Sequence, residues 1–266
     1  MTGAYTVAMS TWAAVASGVG VPVAQQLSLG WRGSLVCWAL LAVLAIVTWI
    51  PQLYTRRPLA PPQRMESSTV AVWRSRLAWQ VTLFMGLQSM LFYITVAWLP
   101  TILSDRGLDP ASAGWMLSLM QFVGLPATFI MPVLAGRASN QRFLATLTAM
   151  LPLIGYLGLL GAGTQWLILW VVLLGLGLGA SISLALTLLT LRTANADQAA
   201  QLSGMAQCVG YLLAAAGPIL FGYMHDLTSA WTIPILASIA IAAAMLIAGI
   251  GAGRKSYVIN TENEKR

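Results

Sequence analysis

Eight long apolar stretches, none with a charged residue in its interior, leave this chain few ways to fold. They fall near residues 4–24, 33–53, 79–103, 112–135, 143–163, 166–190, 203–224 and 231–251. About 20 apolar residues, rising about 1.5 Å each along an α-helix, cross a hydrocarbon layer of roughly 30 Å. In lipid each backbone N–H and C=O needs a partner within the protein, which a helix supplies locally. Charged residues make up 8% of the chain and hydrophobic ones 58%, too little polar surface to coat a soluble domain of 266 residues. Barrel strands would alternate apolar and polar residues, whereas Leu, Ala and Gly dominate here. The expectation is an all-α membrane protein, a polytopic bundle of about eight transmembrane helices.

Turn-forming residues separate the stretches. Leu29-Gly30-Trp31-Arg32, Asp105-Arg106-Gly107-Leu108-Asp109-Pro110, Asn140-Gln141-Arg142, Gly161-Ala162-Gly163-Thr164, Ala194-Asn195-Ala196-Asp197 and His225-Asp226 mark breaks. The segment 54–78 is longer, basic and Pro-rich (Pro58, Pro61, Pro62), and reads as a cytoplasmic linker. Its end, 70–76, has an alternative reading as a short amphipathic piece on the inner leaflet. Two helices precede this segment and six follow.

Lys and Arg set the orientation. With the N-terminus inside, the cytoplasmic side holds Arg56, Arg57, Arg64, Arg74, Arg76, Arg137, Arg142, Arg192, Arg254, Lys255, Lys265 and Arg266. The other side keeps Arg32 and Arg106. Positively charged short loops stay on the cytoplasmic side, so both termini are expected inside. The same split accounts for the net charge of +7 without nucleic acid, since no aromatic-interleaved basic module is present. No positive n-region precedes the first stretch, so a cleaved signal peptide is not expected.

Several chemistries find no support. Cys37 and Cys208 lie within apolar spans and read as packing residues rather than a disulfide or metal set. His225 beside Asp226 lacks a nucleophile and reads as a pair at the membrane interface. Gly175, Gly177 and Gly179 sit mid-span with no preceding strand, which excludes a nucleotide fingerprint. Instead Gly175, Gly179 and Ser183, at i, i+4 and i+8, form a small-residue seam for close helix packing. A membrane-embedded enzyme is disfavoured because the spans carry no Asp or Glu, and no cofactor is expected.

The informative residues are therefore uncharged and polar. An amide or hydroxyl without a partner in lipid costs several kcal/mol, so such groups face another helix or a wet cavity. Gln88, Gln121 and Gln207 each offer two donor and two acceptor sites, more than one neighbouring helix readily fills. Tyr93 and Tyr211 supply hydroxyls and stacking faces, and Ser203, Gln207 and Tyr211 form one stripe. Trp98 fits either a cavity wall or an interface anchor. The five candidate lining residues are Gln88, Tyr93, Gln121, Gln207 and Tyr211. Prolines in or beside the spans (Pro22, Pro126, Pro132, Pro152, Pro218, Pro234) suit helices that bend and rock, although static bundles carry them too.

Longer motifs add a family resemblance. The stretch 86–103, GLQSMLFYITVAWLPTIL, followed by 113–121, AGWMLSLMQ, resembles the seventh and eighth helices of cyanate-permease-like members of the major facilitator superfamily, a group that includes 2-nitroimidazole transporters. Residues 184–193, LALTLLTLRT, resemble the tenth helix and its loop, and 200–207, 210–218 and 222–226 resemble the eleventh. The resemblance implies that 1–53 corresponds to helices five and six of a twelve-helix fold. It makes 54–78 the central loop, 79–254 the C-terminal six-helix half and 255–266 a polar cytoplasmic tail. The chain is then the C-terminal two thirds of that fold without its first four helices, a fragment or the product of a shifted start or degenerate gene.

One departure stands out. The family places an acidic residue in the loop after the eighth helix, whereas 133–142 reads VLAGRASNQR, with Gly136 at that place and Arg137 and Arg142 kept as positive-inside anchors. The resemblance implies a secondary permease of the bacterial inner membrane, working by alternating access on a small polar solute. That solute is a cyanate-like anion or a nitroimidazole-like heteroaromatic, with protons as the candidate coupling ion. The alternative is a truncated, non-transporting remnant or a subunit that depends on a missing half or a second copy. Either way the surrounding partner is the lipid bilayer.

Overall fold

The structure, a computed structural model, describes residues 31–54, 71–161 and 164–259. The expected helix at 4–24, most of the loop at 54–78 and the tail beyond residue 259 lie outside the described residues. Seven α-helices are described: α1 (Trp31–Tyr54), α2 (Arg76–Asp105), α3 (Pro110–Arg137), α4 (Arg142–Gly161), α5 (Leu167–Leu191), α6 (Ala196–Thr228) and α7 (Thr232–Ala252). A short 3-10 turn, Thr164–Trp166, precedes α5, and no strand occurs among the described residues. The helices α2 to α7 are each long and apolar enough to cross a membrane. The first, α1, is a 24-residue helix within a separate compact unit, Ala8–Glu66.

The breaks read from the sequence carry caps. Asp109 accepts from the amides of Ala111 (3.1 Å) and Ser112 (3.0 Å), and Pro110 occupies the first helical position of α3. A proline lacks the N–H that would go unpaired there, and a carboxylate favours the positive helix end. Asn195 Oδ1 accepts from the Gln198 amide at 2.9 Å while Gln198 Oε1 accepts from the Ala194 amide at 3.1 Å, a reciprocal pair that starts α6. Pro100, Pro126, Pro132, Pro152 and Pro218 all lie inside continuous helices. Residues 71–74 form a helical turn ahead of α2. There Val72 is buried in the core, Trp73 is exposed, and Trp79 Nε1 donates to the Trp73 carbonyl at 2.8 Å.

Within the six-helix unit, α2 packs most extensively on α6 and α7, and α5 on α3 and α4, while α4 also packs on α7. The central helices are α2 and α5. Phe84, Met85, Leu91, Leu99 and Leu103 from α2 meet Leu174, Leu178, Leu184 and Leu188 from α5 in the core. Large apolar side chains also stand outward, among them Trp115, Phe122, Phe129 and Val133 on α3 and Ile233, Leu236, Ile247 and Ile250 on α7. Such belts suit a hydrocarbon solvent rather than water.

Lipid is as apolar as leucine, so close backbone approach and hydrogen bonds hold these helices together. The expected seam forms against α3. A Cβ on Gly179 would stand 2.5 Å from the Gly124 carbonyl oxygen and 2.7 Å from its Cα, and one on Gly175 would overlap the Met120 carbonyl. Thr128 Oγ1 donates to the Gly179 carbonyl at 2.9 Å, and Ser183 Oγ donates to the Thr128 carbonyl at 2.8 Å. The pair α2 and α6 uses the same device at Gly86 and Gly210, where a Cβ on Gly86 would lie 3.0 Å from the Gly210 Cα.

Candidate solute groove and the polar interior

Between α2 and α6 lies an open groove of about 600 Å³. Tyr93, Val96 and Ala97 form one wall, and Tyr211, Ala214, Ala215 and Pro218 the other. Small side chains at 97, 214 and 215 leave the space, and the two tyrosines stand in it with 46% and 43% of their surface open. Among the described residues no charged side chain lines it. Its size suits a small organic molecule, and its polar groups are two phenol hydroxyls on otherwise apolar walls.

The five candidate residues separate into groups. Tyr93 and Tyr211 come together in the groove. Gln207 lies one turn before Tyr211, about 40° around the helix, is exposed, and donates from Nε2 to Ser203 Oγ at 2.6 Å. The expected Ser203–Gln207–Tyr211 stripe is thus one face of α6. Gln121 is half-buried on α3, which does not wall the groove. Gln88 points elsewhere. Five residues separate it from Tyr93, a rotation of about 140° around the helix. It is fully buried, donates from Nε2 to Ser89 Oγ at 2.6 Å, and its Oε1 has no hydrogen-bond partner among the described residues.

Three polar clusters had no counterpart among the candidate residues. In the interior, Thr95 of α2 and Tyr156 of α4 are joined hydroxyl to hydroxyl at 2.6 Å, and Thr95 Oγ1 also reaches the Leu91 carbonyl at 2.7 Å. Nothing local in the sequence distinguishes Tyr156 from the tyrosines of the groove. At one end of the bundle Trp98 donates to the Pro218 carbonyl at 2.9 Å and packs near Phe221 and Trp231. Trp231 Nε1 donates to Asp105 at 2.8 Å, and the His225 ring stacks on Trp231 with centroids 3.8 Å apart. Trp98 is therefore part of an aromatic cluster at the end of the span, outside the groove lining. His225 Nδ1 lies 3.7 Å from Asp226 Oδ1.

The third cluster lies at the opposite end. Arg192, 4% exposed at the end of α5, donates from Nε to the Ala252 carbonyl at 2.8 Å and from Nη2 to Gln141 Oε1. Gln141 Nε2 in turn donates to the carbonyls of Ala135 (2.9 Å) and Ala138 (3.0 Å). Burial pulls the Arg192 guanidinium below its ordinary value, with Tyr257 acting the other way, and it stays charged. A neutral amide thus serves the buried cation in the loop where the family pattern would carry an acid. The signal available in sequence was an arginine at the end of a span with an amide in a neighbouring loop. Arg137 and Arg142 are exposed and make no ion pair among the described residues.

Membrane-length helices joined by glycine seams, with a solute-sized groove between two of them, define a polytopic helical membrane protein. A sequence profile described as "Major Facilitator Superfamily" matches residues 2–218, and the chain belongs to that superfamily. It is 50% identical over 98% of its length to an uncharacterized transporter, YycB, of Bacillus subtilis (strain 168). It is 38% identical over 97% of its length to a 2-nitroimidazole transporter of Escherichia coli (strain K12). A cyanate transport protein, CynX, of the same organism is 28% identical over 83% of the chain. The chain spans 65% of the length of each of the first two relatives and 58% of the third.

Proposed function

We propose that the chain acts in secondary transport of a small, flat, uncharged heteroaromatic solute of the nitroimidazole kind, by alternating access. The groove between Tyr93 and Tyr211 carries this reading. Two phenol rings offer stacking faces and hydroxyls, and no cation in the walls would hold an anion such as cyanate. Gln207 extends the polar stripe by one turn and donates to the solute. Gln121 and Gln88 join the solute path in another conformation of the bundle. Residues 79–254 serve as the six-helix transporter half, 1–53 as two further helices, 54–78 as a cytoplasmic connection and 255–266 as a cytoplasmic tail. Both ends lie inside, at the inner membrane of a bacterium, as the distribution of arginine and lysine supports.

A second reading draws on the exposure of Tyr93, Gln207 and Tyr211. Polar side chains facing hydrocarbon are costly, so this face suits a cover supplied by another six-helix half. The chain would then be a partner-dependent subunit that transports nothing alone.

Equilibrium binding of 2-nitroimidazole and of cyanate to the purified chain, followed by uptake into proteoliposomes, tests both readings. The first requires saturable 2-nitroimidazole binding that Tyr93→Ala and Tyr211→Ala each weaken about tenfold, the loss of one stacking contact of about 1.5 kcal/mol. Tyr223→Ala, at an outward position on α6, should leave it intact. Equal weakening by all three variants, or preferential cyanate binding, overturns the groove assignment. Binding without uptake favours the partner-dependent subunit.

A further inference from the structure

The end of the bundle where α4 begins and α5 and α7 finish concentrates positive charge, and among the described residues no carboxylate forms a salt bridge with it. The amide of Gln141 donates to the Gly253 carbonyl at 3.0 Å, so Arg142 and Arg254 are each one residue away from the same hydrogen bond. The buried Arg192 binds to Gln141 and to Ala252, the residues on either side of that junction. The Val258 amide then donates to the Arg192 carbonyl at 2.8 Å and folds the segment after α7 back onto it. Arg142, Arg254 and Lys255 are exposed around this junction.

Three acidic groups are engaged at the other end of the bundle. Asp105 accepts from Trp231, Asp109 caps α3 and Asp226 pairs with His225, all at the opposite end. Asp197 is exposed in the first turn of α6, at the same end as the junction, and the described residues hold no Arg–carboxylate or Lys–carboxylate salt bridge between them. Glu66, Glu262 and Glu264 lie outside the described residues. Two of the five N–H groups of Arg192 are used, both on neutral acceptors. A buried cation without an anion is costly, and a guanidinium matches a phosphate with its planar donors. Beside Arg142, Phe143 is 73% exposed, which sets an apolar ring next to the charge.

We infer that the exposed Arg142, Arg254 and Lys255, gathered at the junction that the buried Arg192 holds, form a docking site for an anionic phospholipid. The phosphate headgroup lies among the basic side chains, and Phe143 meets the first acyl carbons. Basic clusters between helix ends recognise anionic headgroups in this way, each Lys or Arg contributing about fivefold in affinity. The site is separate from the groove of α2 and α6 and does not depend on what the chain transports.

Native mass spectrometry of the full chain in detergent, with phosphatidylglycerol and phosphatidylcholine offered together, tests the assignment. Wild type should retain phosphatidylglycerol preferentially. Arg142→Gln, Arg254→Gln and Lys255→Gln, all at exposed positions, should each cut that retention about fivefold. Arg106→Gln at the other end should leave it unchanged, and excess inorganic phosphate should not release the lipid. Equal retention of the two lipids, unchanged retention in the three variants combined, equal loss with Arg106→Gln, or displacement by phosphate would each overturn the assignment.

Discussion

Replacing Gly179 with alanine tests whether the α3–α5 seam holds the bundle together. The new Cβ would stand 2.5 Å from the Gly124 carbonyl oxygen, 2.7 Å from its Cα and 2.9 Å from its carbonyl carbon. All three are backbone atoms, so no side chain can swing aside. Restoring ordinary contact near 3.5 Å requires the helices to part by about 1 Å, which forfeits a quarter to a half of each van der Waals well along the seam. The same movement stretches the bonds from Thr128 to Gly179 (2.9 Å) and from Ser183 to Thr128 (2.8 Å). Interhelical hydrogen bonds in membranes contribute about 0.6 kcal/mol each, and overpacking costs about 1–3 kcal/mol. Alanine's better helix propensity returns up to about 1 kcal/mol. The expected net loss is about 2 kcal/mol, read from reversible unfolding in mixed detergent–SDS micelles followed by circular dichroism. Gly114→Ala is the control, because nothing lies within 4 Å of its Cβ, and it should be neutral or slightly stabilising. If Gly179→Ala matches Gly114→Ala, the seam is not a close contact and the packing argument fails.

Gln141→Ala removes the amide acceptor of Arg192 and the donor to Ala135 and Ala138, and should cost roughly 3 kcal/mol in the same unfolding assay. Asn140→Ala, next to it and exposed, should cost little, and equal losses would refute the role of the clasp. Tyr156→Phe keeps the ring and removes the hydroxyl that meets Thr95, for a loss of about 1 kcal/mol, whereas Tyr257→Phe at an exposed position should be neutral. Hydrogen bonds from Ser112, side chain first and then backbone, hold the Asp109 carboxyl below the ordinary aspartate value. Its contribution to the start of α3 is therefore complete above the unfolded-state value and is lost as pH falls through the lower folded one. An amide resonance of Ser112 that moves only above the ordinary aspartate range would contradict that sign.

Part of the lining of the groove was legible in sequence and part was not. Tyr93 and Tyr211 stood out because a phenol in an apolar span has to place its hydroxyl somewhere, and both stand in one hollow, whose role as a solute site is a proposal. The hollow itself was silent, because Ala97, Ala214 and Ala215 contribute through what their side chains lack. Gln88 carries the same chemical argument as Gln207, yet it is fully buried while Gln207 is exposed. The clasp of Gln141 and Arg192 joins residues 51 positions apart through two loops that a local reading treats as mere connections.

By itself, the amino-acid sequence determined that this chain lives in lipid, which of the described stretches become helices, roughly where they break, and that Gly175, Gly179 and Ser183 form a packing face. Each of these follows from hydropathy, local hydrogen bonding or a repeat within one helix. Only the tertiary structure decided which helix that face meets, that Gly86 lies against Gly210, and which polar side chains share a cavity. The reason is rotational. A side chain's direction turns by about 100° per residue, so its surroundings depend on how each helix is rolled and paired. Side-chain contacts between helices set that roll, and no single segment contains them.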